Sequence, residues 1–307
     1  MQSINVSLML RNQSQAMDQL QAMQQQERKI YKRLDYFSNV SPIDDPGAVD
    51  SWCRYKMVEW CYEVVDFIQF SRETVCIAMS FLDRFLSTNS KRSQEVIRSR
   101  KEYQLCAMTC LYTAIKIFEP KMIDTALLAQ LSRGSYGPED FKKMEMDILL
   151  ELNWYLNDPT PNNFLELFLE LLPLHMCEMQ IDEMTLKEHA KYQIELAIVD
   201  YGIMIHDPSS IAIAALRNSL NSIFTAHGAP AEGKQMILTL EMLAQTNLQV
   251  PCIRKISFGM ERLHNTKMPA ILRRSCLAAS QERTSKGKYR RVRSASVGGL
   301  SPTCVSD

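Results

Sequence analysis

Apolar residues recur at spacings of three and four along most of the chain, and no stretch alternates long enough to suggest a strand ladder. The pattern therefore predicts helices throughout. A weakly amphipathic, Gln-rich helix is expected over residues 12–37, with Ile30, Leu34 and Phe37 on one side. The turn-rich Ser41-Pro-Ile-Asp-Asp-Pro46 closes it. A helix near 48–70 carries Trp52, Val64, Val65 and Ile68, and another runs from Ser71, a candidate N-cap, through Phe85. The polar, basic stretch 87–100 reads as a loop. The next helix bears Leu105 and Lys116 and ends at Glu119, because Pro120 cannot continue it. A short helix near 124–131, turns at Gly134 and Gly137, and a helix bearing Glu145 complete a bundle of five. Asn157-Asp-Pro-Thr-Pro-Asn-Asn163 reads as a rigid linker. A second run of helices begins at Phe164 and continues near 185–205, 209–224, 233–245 and 251–265. The second half reads as a repeat of the first, which divides the chain into an N-terminal extension (1–47), two helical domains (48–157 and 158–265) and a tail (266–307).

Composition agrees with two ordinary cores: 307 residues at 46% hydrophobic content suffice for two domains. No apolar run reaches the roughly 18 residues of a spanning helix, and the first ten residues lack a basic, then apolar, leader, so no membrane association is expected. The nine cysteines are scattered, without a Cys-x-x-Cys or histidines at metal-ligand spacing. They read as reduced core thiols; neither a metal nor a cofactor is expected. The zero net charge conceals a basic tail, in which nine Lys and Arg face Glu282 and Asp307, leaving +7 there and −7 elsewhere. Poor in apolar residues after Leu277, the tail reads as disordered. Its Lys286-Gly-Lys-Tyr-Arg-Arg-Val-Arg293 is either a nuclear localisation signal or a solvated charge run. Ser294, Ser296 and Ser301 beside it are candidate phosphorylation sites, each able to subtract about 1.5 to 2 charges.

One charge stands out in the apolar stretches. Lys116 closes the run from Leu105, and Glu145 on a second helix of similar pattern is its candidate partner or co-ligand. Alone, each is as easily a snorkelling or exposed charge. Their company decides otherwise: Arg54 and Trp60 in Cys53-Arg-Tyr-Lys-Met-Val-Glu-Trp60, Asp83 in Phe81-Leu-Asp-Arg-Phe-Leu86, then Leu105, Lys116 and Glu145 in order. This series resembles the cyclin box, and Glu195-Leu-Ala-Ile-Val-Asp-Tyr201 with Pro208-Ser-Ser-Ile-Ala-Ile-Ala-Ala215 resembles a cyclin's C-terminal box.

The resemblance implies an all-α chain of two tandem five-helix cyclin boxes, and the lack of a spanning run or leader leads to the expectation that it stays in the nucleus and cytoplasm. It also implies a regulatory subunit without catalytic residues, which binds and activates a cyclin-dependent serine/threonine protein kinase in cell-cycle control. Lys116 and Glu145 would then hydrogen-bond to kinase backbone groups, and Arg54 with Asp83 would bolt two helices together around Leu105. Met57, Trp60, Glu63, Tyr103 and Gln104 resemble the cyclin groove that docks Arg-x-Leu motifs of substrates and inhibitors. Cys53 and Lys56 stand where the family usually has large apolar residues, and Phe118 where it often has an acid.

Two other readings of the same helices remain: a cyclin-fold, transcription-associated factor and a non-activating helical scaffold. The first would want a basic face for nucleic acid, which the −7 outside the tail opposes; no nucleic-acid partner and no obligate homo-oligomer is expected. No Gly-rich phosphate loop or nucleophile elbow is present to suggest an enzyme.

Overall fold

The computed structural model describes residues 2–38, 48–173, 182–245 and 250–265, and among these every regular element is a helix. The chain folds as two units, one of residues 33–157 and one that joins residues 1–32 to residues 158–268. The basic tail, with Ser294, Ser296 and Ser301, lies outside the described residues. Among the described residues, no helix is long and apolar enough to cross a membrane and no cluster of His, Cys, Asp or Glu could hold a metal ion.

The 33–157 unit contains α2 (Ser51–Ile68), α3 (Glu73–Ser87), α4 (Lys91–Ile97), α5 (Arg100–Phe118), α6 (Thr125–Leu131) and α7 (Pro138–Glu151). Helix α5 is its axis, packed against α2, α3, α4 and α7. Cys106, Met108, Cys110, Leu111, Ala114 and Ile115 are fully buried, which explains why its sequence is apolar nearly all round. Side-chain caps fix several starts: Asp50 accepts the Cys53 N–H at 2.9 Å, Ser90 that of Ser93 at 3.1 Å, and Asp124 that of Leu127 at 2.7 Å.

Two local expectations are corrected. The 87–100 stretch is not a loop throughout, because α4 occupies its centre. Only Val96 and Ile97 supply an apolar anchor there, too few for periodicity to show. The rest is clamped by Arg92, whose guanidinium reaches Asp147 on α7 and Glu102 on α5, each at 2.8 Å. Helix α3 starts at Glu73 rather than Ser71, although the Ser71 hydroxyl still accepts the Glu73 N–H at 3.2 Å.

The second unit contains α1 (Gln2–Lys29), α8 (Pro161–Leu171), α9 (Glu183–Val199), α10 (Tyr201–Met204), α11 (Pro208–Ala226), α12 (Pro230–Gln245) and α13 (Val250–Asn265). Helix α11 is the axis here, touching α8, α9, α12 and α13. Its Ala212, Ala214 and Ala215 are fully buried, and such small side chains admit neighbours on several sides. Gly233 on α12 lies so close that an added Cβ would stand 2.7 Å from Cβ of Phe224, which excludes any larger residue.

The expected 185–205 helix breaks at Asp200, whose extended ψ of 112° separates α9 from α10. Helix α1 also departs from expectation. It ends at Lys29, so Ile30 and Leu34 are exposed, and its buried stripe is Ala16, Leu20, Gln24 and Glu27. This stripe packs the helix onto α8 in the second unit, so it is no free extension.

Candidate functional site

Residues Thr113, Ala114 and Ile115 of α5 are buried, and the next three positions emerge at the surface as the helix ends. Lys116 is the first of these. Its ammonium lies 3.2 Å from both carboxylate oxygens of Glu145, which sits midway along α7. The Thr113 hydroxyl donates to Glu145 Oε1 at 3.3 Å, and the Tyr112 ring lies 5.7 Å from the ammonium. The pair is unequal: Glu145 keeps 13% of its side chain exposed and Lys116 keeps 45%. The acid is thus largely buried and the base largely open to solvent.

Apolar side chains at the surface surround these charges in sequence. Ile117 and Phe118 follow Lys116 and are exposed. Met146 and Leu150, one turn apart on α7, are exposed too, and Trp154 continues their spacing just beyond the helix. Trp154 is held with φ of 61°, and Asn153 before it with φ of 50°, in a region that bulky residues avoid. Its N–H donates to the Leu149 carbonyl at 3.0 Å, while Arg84 donates to the Tyr155 carbonyl at 2.7 Å. A tryptophan kept 60% exposed in a strained turn has no packing reason to be there. Sequence reasoning missed Ile117, Met146, Leu150 and Trp154. The signal was present in α7, where apolar residues at 144, 146, 148, 149 and 150 are too many to face one core.

Beneath lies the scaffold. Arg54 on α2 makes a forked contact with Asp83 on α3, Nη2 to Oδ2 at 2.8 Å and Nε to Oδ1 at 3.0 Å. The Tyr36 hydroxyl donates to Oδ1 at 2.7 Å. Burial disfavours the Arg54 charge, but the Asp83 carboxylate outweighs it and holds the guanidinium protonated. Burial first and the Asp83 charge second push the Tyr36 phenol far above its ordinary range. Leu105 is buried on α5, and its carbonyl accepts the Thr109 hydroxyl at 2.7 Å.

The expected docking groove is not open on the surface. Met57, Trp60, Tyr103 and Gln104 are each at most 2% exposed, and of the five only Glu63 faces solvent. The helical spacing that groups them also points them into the bundle, so they form core. Outside them lies a polar-aromatic cluster: Trp52 stacks on Tyr55 at 5.0 Å, the Lys56 ammonium stands 4.7 Å from the Trp52 ring, and Lys56 pairs with Glu59 at 2.8 Å.

A family model described as "Cyclin, N-terminal domain" matches residues 18–157, and one described as "Cyclin, C-terminal domain" matches residues 159–296. The G1/S-specific cyclin-D1 of Danio rerio is 28% identical over 205 residues, which are 67% of this chain and 65% of that protein. The G2/mitotic-specific cyclin-B2 of Rana japonica is 34% identical over 172 residues, 56% of this chain and 40% of that protein. The chain thus spans less than two thirds of the length of either relative. The X-ray structure of a viral cyclin from herpesvirus saimiri superposes with a TM-score of 0.53 at 16% identity, covering 78% of this chain and 97% of that one. This last likeness is one of fold.

Proposed function

This chain belongs to the cyclin family, and from that premise we propose that it is a regulatory subunit that binds and activates a cyclin-dependent serine/threonine protein kinase in cell-cycle control. The observation that carries this reading is the Lys116–Glu145 pair set beside exposed Ile117, Phe118, Met146 and Leu150 on α5 and α7. An exposed apolar surface with a charged pair in it suits a partner that buries both. Kinase catalysis needs the Glu of the αC helix paired with the Lys of strand β3, so a body that presses αC inward raises activity without chemistry of its own. Lys116 then donates to a backbone carbonyl of the kinase and Glu145 accepts a backbone N–H. Trading their mutual contact for these bonds costs little, because a part-exposed pair contributes only about 0 to 1 kcal/mol. Two packed helices hold both donors and acceptors in place.

Action in the nucleus and cytoplasm belongs to the same proposal, with the 286–293 basic run as the import signal. Docking of Arg-x-Leu segments has less to rest on, because its apolar wall is interior.

The test is capture of kinases by the full chain and by Lys116→Ala/Glu145→Ala, followed by a phosphorylation assay. Loss of a desolvated charge contact should weaken binding by about 2 to 5 kcal/mol and abolish activation. The melting temperature should change little. Leu150→Asp, at an exposed position, should do the same. Full activation by both variants would end the proposal.

A further inference from the structure

Helix α1 is held to the second unit by a stripe that is only half apolar. From residue 13 onward it buries four side chains: Ala16 and Leu20, then Gln24 and Glu27 at 2% and 1% exposure. Such an interface gains little from apolar burial, so its strength depends on how well its polar groups are paired. Gln24 is poorly served, because its Nε2 finds no acceptor among the described residues. On α8, against which α1 packs, Asn162 Oδ1 finds no donor among them either. What fastens α1 is Glu27, whose carboxyl group takes the N–H and the hydroxyl of Ser209 at the start of α11, at 3.0 and 2.5 Å.

The charges around this fastening are ill matched. Glu27 lies in the last turn of α1, where the helix dipole disfavours a carboxylate, and Asp207 adds a like charge. Arg28 favours the ionised form, but its side chain is 37% exposed and stands 4.0 Å from Asp207, so water screens much of its effect. Burial is the largest influence and moves the Glu27 pKa from 4.5 up to about 7. The docked acid thus keeps its proton where a solvated one has lost it. His206 turns to Cys252 Sγ at 3.2 Å, and burial, then Lys255, lowers its pKa, so it is neutral before Glu27 ionises. Cys252 is pushed upward, chiefly by burial, and stays a thiol. On α8, Glu166 and Glu170 are exposed, and Glu166 pairs with Lys187 of α9.

We propose that α1 is a releasable strap: as pH rises towards neutrality Glu27 ionises, and α1 lifts from α8 and the start of α11 more often, ahead of any unfolding of the rest of the second unit. Below pH 4.5 the docked and released forms are both protonated and docking is at full strength. Between 4.5 and about 7 release is driven by the proton it gives up, and above about 7 the effect is complete. Release bares the face of α8 that α1 covers and takes the acceptor from the Ser209 N–H, in a helix whose N-cap residue makes no side-chain cap of its own. The core behind stays in place, because α11 keeps α8, α9, α12 and α13 around it.

The test is native-state amide hydrogen exchange of the full chain between pH 5 and 8, corrected for the intrinsic pH dependence of exchange. The opening constant read from the amides of residues 16–27 and of Ser209 should rise on the order of a hundredfold across this range. At every pH these amides should be at least about tenfold less protected than those of residues 214–220 in the middle of α11, which exchange only when the unit unfolds. Glu27→Gln keeps an acceptor for the Ser209 N–H and cannot ionise, so its α1 opening should be flat with pH. Should that variant fail to fold, the wild-type comparison of α1 with α11 decides alone. Equal protection of α1 and α11, an α1 opening that does not change with pH, or an unaltered slope in Glu27→Gln would overturn the proposal. Kinase activation does not enter this readout, so the two proposals stand or fall separately.

Discussion

Glu27 on α1 is a carboxyl group at 1% exposure, placed against the start of α11, where it accepts the Ser209 N–H at 3.0 Å and its hydroxyl at 2.5 Å. Asp207, the N-cap residue of α11, makes no side-chain cap, so Glu27 takes that task from another helix. Burial is the main force on it and outweighs the two Ser209 bonds; with Asp207 raising and Arg28 lowering, its pKa moves up from 4.5 to about 7. A raised acid binds protons more tightly in the folded state, so its stabilising contribution is complete below the unfolded value and lost as pH rises through about 7. Between pH 5 and 8 the second unit should lose on the order of 3 kcal/mol, and Glu27→Gln should flatten that slope; denaturant melts of both proteins across this range check it. Asp83→Asn strands the Arg54 guanidinium in the interior and should cost about 3 to 5 kcal/mol, measurable as a fall in the denaturation midpoint. Trp154→Gly relieves a left-handed tryptophan. It should raise stability by about 1 kcal/mol while weakening kinase capture, a split that a merely structural Trp154 would not show.

Helix α4 is seven residues long, too short to persist on its own propensity, and its place depends on Arg92 bridging Glu102 and Asp147. Arg92→Ala should cost about 1 to 2 kcal/mol and speed amide exchange in 91–97, leaving α5 and α7 protected in hydrogen-exchange measurements. This element was illegible in the sequence because the interactions that hold it are ionic and reach 10 and 55 residues along the chain. Helix α5 was the opposite case. Its long apolar run between a Ser99 cap and Pro120 announces a buried helix by local rules alone. Helix α7 lies between the two: Pro138 and Asp140 mark its start, but nothing local tells which of Met144, Met146, Ile148 and Leu150 face the core. Met146 and Leu150 do not, and they are the ones the proposed interface uses.

At the scale of the molecule, the chain folds each repeat around one axial helix, α5 in the first unit and α11 in the second, and adds α1 to the second. Removal of residues 1–29 should uncover α8 and leave Ser209 without its acceptor, destabilising the second unit by several kcal/mol. Hydrogen exchange should quicken in α8 and α11 and stay unchanged in α3 and α5. By itself the sequence determined the helical class, and it offered the division near Asn157 and the candidate charges Lys116, Glu145, Arg54 and Asp83, because each depends on neighbours within a few turns or on the order of a motif. Only the tertiary structure decided that Met57, Trp60, Tyr103 and Gln104 are interior and that Ile117, Leu150 and Trp154 are exposed. It alone paired Glu27 with Ser209, 182 residues away. Helical periodicity states that a face is apolar; what that face meets is set by which helices pack together, and packing is a property of distant parts of the chain.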